Sequence, residues 1–207
     1  MDAIVAVYSD WGIGAKGTQP LVIPADRKHF RDLTQGAAVI VGRKTLGDFP
    51  GGRPLKGRHN IVITRQPITI EGAEVAHTTE EALELAKQYD RCLVIGGDSV
   101  FRQFFPHMDR VFITKIDAAP HSDVFFPDLD ADPDWVCTEE SEHSEHEHCE
   151  QDLDPFAAFF CFFCTHSSYS VIAQGTIRAR RPFRRYALMV PWLLILQPFC
   201  GYCGSRP

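Results

Sequence analysis

Two glycine-containing strand-to-helix turns are the residues in this chain best suited to chemistry. One reads Val41-Gly42-Arg43-Lys44-Thr45, the other Ile95-Gly96-Gly97-Asp98-Ser99-Val100-Phe101. Glycine after a strand lets backbone approach a ligand closely, and the helix that follows offers free N–H groups and a partial positive charge to phosphate. Two such turns in one sheet suit a diphosphate-containing ligand lying across strand C-termini. Arg43, Lys44 and, after a third strand, Arg65 add positive charge beside them. Neither turn is the Gly-x-Gly-x-x-Gly fingerprint or a P-loop, and either alone more often marks tight packing.

Asp26 follows Pro24-Ala25 at the start of a helical pattern. Local rules favour an N-cap or first-turn acid. The functional alternative is a carboxylate beside Phe30 in an apolar cleft, bonding a protonatable heterocycle, with desolvation raising its pKa. A different chemistry is metal binding. Cys161-x-x-Cys164 and Cys200-x-x-Cys203 are raw material for a four-cysteine zinc site, and the acidic, His-rich run Glu142 to Cys149 could catch a divalent cation. The long gap between the cysteine pairs argues for packing cysteines, and the acidic run reads as a solvated hairpin tip. No metal is expected.

The elements that must position these groups alternate. Short Val/Ile-rich runs at Ala3–Val7, Ala37–Val41, Asn60–Thr64, Cys92–Ile95 and Arg110–Ile116 read as strands covered on both faces. Helical patterns at Asp26–Thr34, Thr79–Gln88 and Asp98–Phe105 lie between them, the second with an N-cap at Thr78 or Thr79. This predicts an α/β fold with a mostly parallel twisted sheet flanked by helices. An antiparallel C-terminal hairpin is expected after Asp132: Trp135–Glu139 outward, a tip over Glu140–Glu150, and an apolar return over Phe156–Thr165.

Composition bounds the answer. The 207 residues are 44% hydrophobic and 23% charged, ordinary for a globular chain, with formal net charge −6. Residues 166–207 hold six arginines and no acid, so the first 165 residues carry net −12. An acidic body is a poor binder of nucleic-acid backbones. The N-terminus has an acid where a signal peptide has bases, and the longest apolar run, Tyr186–Phe199, is interrupted by Pro191. Seven cysteines read as reduced thiols of a cytoplasmic protein.

Taken in order, Ile4-Val5-Ala6, Gly12-Ile13-Gly14, Pro20, Ile23-Pro24-Ala25-Asp26, Phe30, Thr34, Gly42-Arg43-Lys44-Thr45, Gly52-Arg53-Pro54-Leu55, Arg58 to Arg65, Ile95-Gly96-Gly97, Thr114-Lys115-Ile116, Asp123 and Phe126-Pro127 resemble bacterial dihydrofolate reductase. The resemblance implies hydride transfer from NADPH to the pterin of 7,8-dihydrofolate, with antifolates as inhibitors and a monomer that uses no membrane or nucleic acid. It implies that Asp26 bonds the pterin and that Thr114 supports Asp26. Ile4, Val5, Phe30, Phe49, Leu55 and Ile95 would wall the cleft, and Arg58 would clamp the glutamate α-carboxylate of folate. Ala6, Ile13 and Gly14 would flank the nicotinamide. Gly96, Gly97, Ser99, Val100, Phe101, Lys44 and Thr45 would hold the pyrophosphate, with Gly42 in the first turn; Arg43, Thr64 and Arg65 would grip the 2′-phosphate.

Ser9–Val22 is similar to the family's mobile loop, but Leu21 stands where the family usually has Trp. That departure concerns the proton route near the pterin. The pyrimidine reductase of riboflavin synthesis shares the sheet, but its Ser-x-Asp-Gly-Lys start is missing here and it gives Asp26 no role. The expected division is a reductase domain at 1–165 and a basic, apolar tail at 166–207 outside that fold. That tail reads either as an interaction appendage for a membrane surface or partner, or as the product of a lost stop codon or a shifted reading frame near Asp154, the second being favoured.

Overall fold

The computed structural model describes residues 1–21, 23–141, 144–146 and 169–179. Its centre is a parallel sheet built from the Val/Ile-rich runs. In spatial order these strands are β7 (Arg110–Ile116), β1 (Asp2–Tyr8), β6 (Cys92–Gly96), β3 (Ala38–Gly42), β4 (His59–Ile63) and β5 (Ala73–Ala76). Helices α1 (Pro24–Thr34), α2 (Arg43–Gly47), α3 (Thr79–Ala86) and α4 (Asp98–Phe104) supply the crossovers that parallel strands require. β2 (Gly12–Gly14) pairs antiparallel with β8 (Val124–Phe125) as a separate two-stranded ribbon.

Alternation along β1 sorts its side chains between two layers. Ala3, Val5 and Val7 join Ile40, Ile61, Val94 and Ile113 under α3 and α4, where Phe104 and Met108 are wholly buried. Ile4, Ala6 and Tyr8 face the other way, toward α1: Ile4 packs with Phe30 and Leu33, Tyr8 with Ile23 and Ala25. The two layers therefore share one sheet, and only the second carries the Asp26 side of the molecule.

Several boundaries follow the patterns closely. β7 runs from Arg110 to Ile116, as the Val/Ile pattern requires. Thr78 is the N-cap of α3, its hydroxyl accepting the Glu81 N–H at 3.1 Å. The strand β5 has no counterpart in the pattern reading, because Ala-Glu-Val-Ala is too short and too weakly apolar to stand out.

The C-terminal hairpin differs most. The strand antiparallel to β7 is β11 (Tyr169–Ala179), and the expected return over Phe156–Thr165 lies outside the described residues. Eleven residues beyond position 165, Tyr169–Ala179, thus join the sheet beside β7. β9 (Trp135–Glu140) and β10 (Ser144–His146) both pair with the outer edge of β11, so part of the expected solvated tip is strand backbone. The reason is local: Tyr-Ser-Val-Ile-Ala-Gln-Gly-Thr-Ile-Arg-Ala is rich in β-branched residues, which favour a strand. The register against β9 shifts between Thr176 and Ile177, and both of these residues are buried. The cysteine pairs lie outside the described residues.

Ile177 is 3% exposed and belongs to the same core as Val111 and Trp135. Ile177→Ala is expected to lower unfolding free energy by about 2–4 kcal/mol in chemical denaturation. An unchanged midpoint would remove β11 from the sheet.

Candidate active site

Parallel strands deliver their C-terminal ends to one edge of the sheet, and the candidate residues gather there. Val41 is paired with Gly96 and Gly42 with Ile63, so the ends of β6, β3 and β4 are neighbours. The two glycine turns touch. A Cβ on Gly97 would lie 2.8 Å from Thr45 Oγ1, and one on Gly42 would lie 3.0 Å from Val100 Cγ2. Gly96 has φ +114°, a backbone region that favours glycine. The Gly96–Gly97 peptide is cis. Side chains larger than hydrogen would push the turns apart.

Gly42 and Gly97 are the N-caps of α2 and α4, and neither end has a side-chain cap. The first amides of both helices are therefore open to an anion. Arg43, Lys44 and Arg65 are exposed around them, while Thr64 is buried. The Thr64 hydroxyl accepts the Gln66 N–H at 3.2 Å, which leaves its own hydrogen to donate. His77 Nδ1 lies 2.8 Å from the Thr64 carbonyl, a neighbour that sequence spacing did not reveal. Val100 and Phe101 differ from expectation. Their N–H groups both donate to the Gly97 carbonyl at 2.9 Å and their side chains are core, which leaves Gly97, Asp98 and Ser99 as the open amides.

Asp26 stands in the first turn of α1, whose N-cap is Ile23 with no side-chain cap. Asp26 is therefore not the cap; its carboxylate lies by an open helix N-terminus, where a negative charge is favoured. Burial nevertheless pushes its carboxyl above the ordinary carboxylate range, against the lowering influence of the Thr114 hydroxyl, His29 and Arg27. Thr114 is the cross-strand partner of Ala6 and its Oγ1 is fully buried. That hydroxyl makes no hydrogen bond of ordinary geometry, yet acts on Asp26, so it lies beside the carboxyl in a loose contact. Burial pushes His29, one turn further along α1, below its usual pKa.

The apolar walls come from one layer. Ile4, Phe30 and Ile95 share a cluster, and Phe49 packs beside Ile95 on Val41 and Val62. Val5 points into the opposite layer, so only its backbone borders the cleft. Leu55 is held by Asn60, which accepts the Leu55 N–H and donates to the Leu55 carbonyl, both at 2.9 Å. Arg58 donates to Thr34 Oγ1 at 3.1 Å, the Lys56 carbonyl at 2.7 Å and the Arg31 carbonyl at 3.1 Å. Three of its five N–H groups fix the guanidinium, and two remain for a carboxylate.

The segment from Ser9 to Leu21 closes over this edge. The Asp123 N–H donates to the Gly14 carbonyl at 3.0 Å, and Lys16 N–H donates to Asp123 Oδ2 at 2.8 Å. Trp11 and Lys16 adopt φ +63° and +53°, unusual for residues with side chains. Ile13 packs on the large core and Gly14 is buried. At the far end, the Leu21 N–H donates to the Tyr8 hydroxyl at 3.1 Å. Asp123 and Tyr8 act through space alone, and spacing in sequence has no signal for either contact.

Comparison with known proteins agrees with this geometry. Residues 1–157 match the family described as dihydrofolate reductase. Dihydrofolate reductase type 3 of Salmonella typhimurium is 38% identical over 132 residues, 63% of this chain and 80% of that protein. Dihydrofolate reductase of Haemophilus influenzae is 38% identical over 126 residues, covering 61% and 78% respectively. A solved dihydrofolate reductase from Enterococcus faecalis, complexed with NADP(H) and RAB-propyl, superposes with TM-score 0.66 at 29% identity. It covers 87% of this chain and 96% of that one. The glycine turns that abut at the strand ends, the part-buried carboxyl in the first turn of α1 and the matched sequence lead to one conclusion: the chain belongs to the dihydrofolate reductase family.

Proposed function

We propose that the protein reduces 7,8-dihydrofolate to 5,6,7,8-tetrahydrofolate with NADPH. The observation that carries this is Asp26, a part-buried carboxyl whose pKa burial raises, set in the first turn of α1 on the sheet layer lined by Ile4, Phe30 and Ile95. The residues fit the cofactor. The turns approach closely enough for a pyrophosphate to lie against backbone amides, and the end of β4 bears Thr64 and Arg65 rather than the acid that would favour ribose hydroxyls. NADPH, when bound, supplies the hydride.

The chain's own work is orientation and charge. Gly97, Asp98, Ser99, Lys44 and Thr45 hold the pyrophosphate, and Arg43, Thr64 and Arg65 the 2′-phosphate. Ala6, Ile13 and Gly14 flank the nicotinamide. Asp26 accepts hydrogen bonds from the pterin's ring nitrogen and exocyclic amine, and so favours the protonated heterocycle. Thr114 supports that carboxylate, and the loose contact tightens when substrate shares the charge. Arg58 turns its two unused N–H groups to the α-carboxylate. Cys92 takes no part, for burial pushes its thiol up to about 12. We further propose a cytoplasmic monomer acting on small molecules. Among the described residues no helix is long and apolar enough to cross a membrane.

Absorbance of NADPH, followed as dihydrofolate is added, tests the assignment. The expected result is saturable oxidation blocked by methotrexate-type antifolates; no folate-dependent oxidation would sink it. Asp26→Asn should cut turnover by about 100-fold or more while cofactor affinity changes by less than about twofold. Arg58→Lys should raise KM for dihydrofolate by about tenfold or more with a smaller effect on kcat, because an ammonium lacks the paired donors.

The raised Asp26 pKa also has a consequence for stability. The folded protein binds this proton more tightly than the unfolded chain, so the carboxyl favours folding at low pH and that gain is lost as pH rises through the folded value. Asp26→Asn should therefore melt at a higher temperature than wild type at pH 7. The difference should shrink under acid conditions. An equal or lower melting temperature at pH 7 would contradict the cost assigned to the buried charge.

A further inference from the structure

The Tyr8 phenol is buried at the C-terminal end of β1, on the layer that faces α1. Its neighbours are Leu21 from the closing segment, Ile23 and Ala25 from the start of α1, Ile116 from β7, and Ala6 and Ala118. Asp26 follows Ala25 directly. Ala6 precedes Tyr8 by one pleat on the same face of β1 and is the cross-strand partner of Thr114, so the phenol and Thr114 border Asp26 from adjoining places on the sheet.

The hydroxyl accepts the Leu21 N–H at 3.1 Å. An accepted hydrogen bond leaves the phenol's own hydrogen uncommitted, and among the described residues it has no acceptor. The ring is enclosed by apolar side chains, and the carboxyls close enough to act on the phenol are Asp26 at the start of α1 and Asp10 in the turn after β1. A purely structural tyrosine could stop at the Leu21 contact. Burial of a free O–H is costly, and the cleft is where it can be satisfied.

We propose that Tyr8 is a positioning residue of the reductase, its hydroxyl anchored by the Leu21 amide and donating toward the water and pterin edge beside Asp26. This rests on the dihydrofolate reading of the same site. Position 21 itself offers no side-chain donor, so the donor on this flank comes from β1. The phenol stays neutral throughout: burial and the charges of Asp26 and Asp10 push its pKa up. The proton that reaches the pterin comes from solvent and Tyr8 is unchanged by the cycle. The charged or titratable groups facing it are Asp10 from the turn after β1 and Asp26 from α1, with His29 and Arg27 beside Asp26. Its contacts from β7 and beyond, Ile116 and Ala118, carry none.

Tyr8→Phe removes one oxygen and keeps the ring in its cluster. Dihydrofolate turnover should fall about tenfold at pH above 8, with KM within about twofold of wild type. The deficit should shrink to less than about twofold near pH 5.5, because solvent acid then supplies the proton without a held donor. Melting temperature and NADPH-binding fluorescence report whether the fold and cofactor site are intact. A deficit equal at every pH, or none, overturns the role and leaves Tyr8 as packing. If Tyr8→Phe does not fold, Leu21→Pro, which removes the anchoring N–H, must show the same pH-dependent deficit, and its absence likewise overturns the proposal. Failure of the function reading looks different: wild type itself would show no folate-dependent oxidation.

Discussion

Keeping a carboxylate out of water is the constraint on which the site depends. A charge moved from water into an apolar environment is disfavoured unless dipoles, hydrogen bonds or opposite charges replace its hydration. Around Asp26 the replacements are partial: an uncapped helix N-terminus, the hydroxyl of Thr114, and His29 and Arg27 along α1. They reduce the cost without cancelling it, so the carboxyl stays raised. A fully satisfied carboxylate would be a stable structural anion with no reason to engage a ligand. The incomplete set leaves Asp26 disposed to share charge with a protonatable ring, which is what the proposed chemistry asks of it.

The sheet makes that placement possible by giving its two ends different jobs. Its strands enter at one edge and leave at the other, so loops that bind ligand collect at the exit edge while the interior of each strand is free to pack. Gly96, Gly97 and Gly42 let two exits touch, and a single Cβ at Gly97 would collide with Thr45. The closing segment uses the same edge from above. Asp123 holds it at both the Gly14 carbonyl and the Lys16 amide, and Tyr8 holds its far end at Leu21. Within this segment Trp11 and Lys16 hold left-handed backbone, a region uncommon for residues with side chains.

Much of this was legible in the sequence because it rests on local signals. Continuous Val/Ile runs mark strands buried on both sides, Thr78 marks a helix start, and glycines mark the turns. The ordered motifs locate Asp26, Arg58 and the basic residues of the phosphate end. What was hidden depends on geometry that no short window contains. Alternation along β1 decides that Val5 packs in the large core and Tyr8 under the start of α1, but only once α1 is known to cover the even face. The Val100 and Phe101 amides look free in a motif and are spent on the Gly97 carbonyl in the turn itself. β5 is too short to announce itself. Composition averaged over residues 166–207 describes their charge, whereas the strand pairing depends on eleven of them.

That last strand changes how the site is supported. β7 carries Thr114, and its register on β1 sets Thr114 beside Ala6. Without β11, β7 would be an edge strand with half of its backbone groups unpaired, and edge strands fray and twist more freely. β11 closes that edge, setting Gln174 opposite Thr114 and Gly175 opposite Ile113. Gly175 lets β9 come close on the other side, where a Cβ would lie 3.2 Å from the Glu139 carbonyl. Thr114 is thus held between two ladders rather than one. Its hydroxyl makes only a loose contact with Asp26, so small displacements of β7 would alter the carboxyl's environment directly. The family match ends at residue 157, before β11 begins at Tyr169. The surroundings of Asp26 are therefore tied through Thr114 to the strand that closes this edge of the sheet.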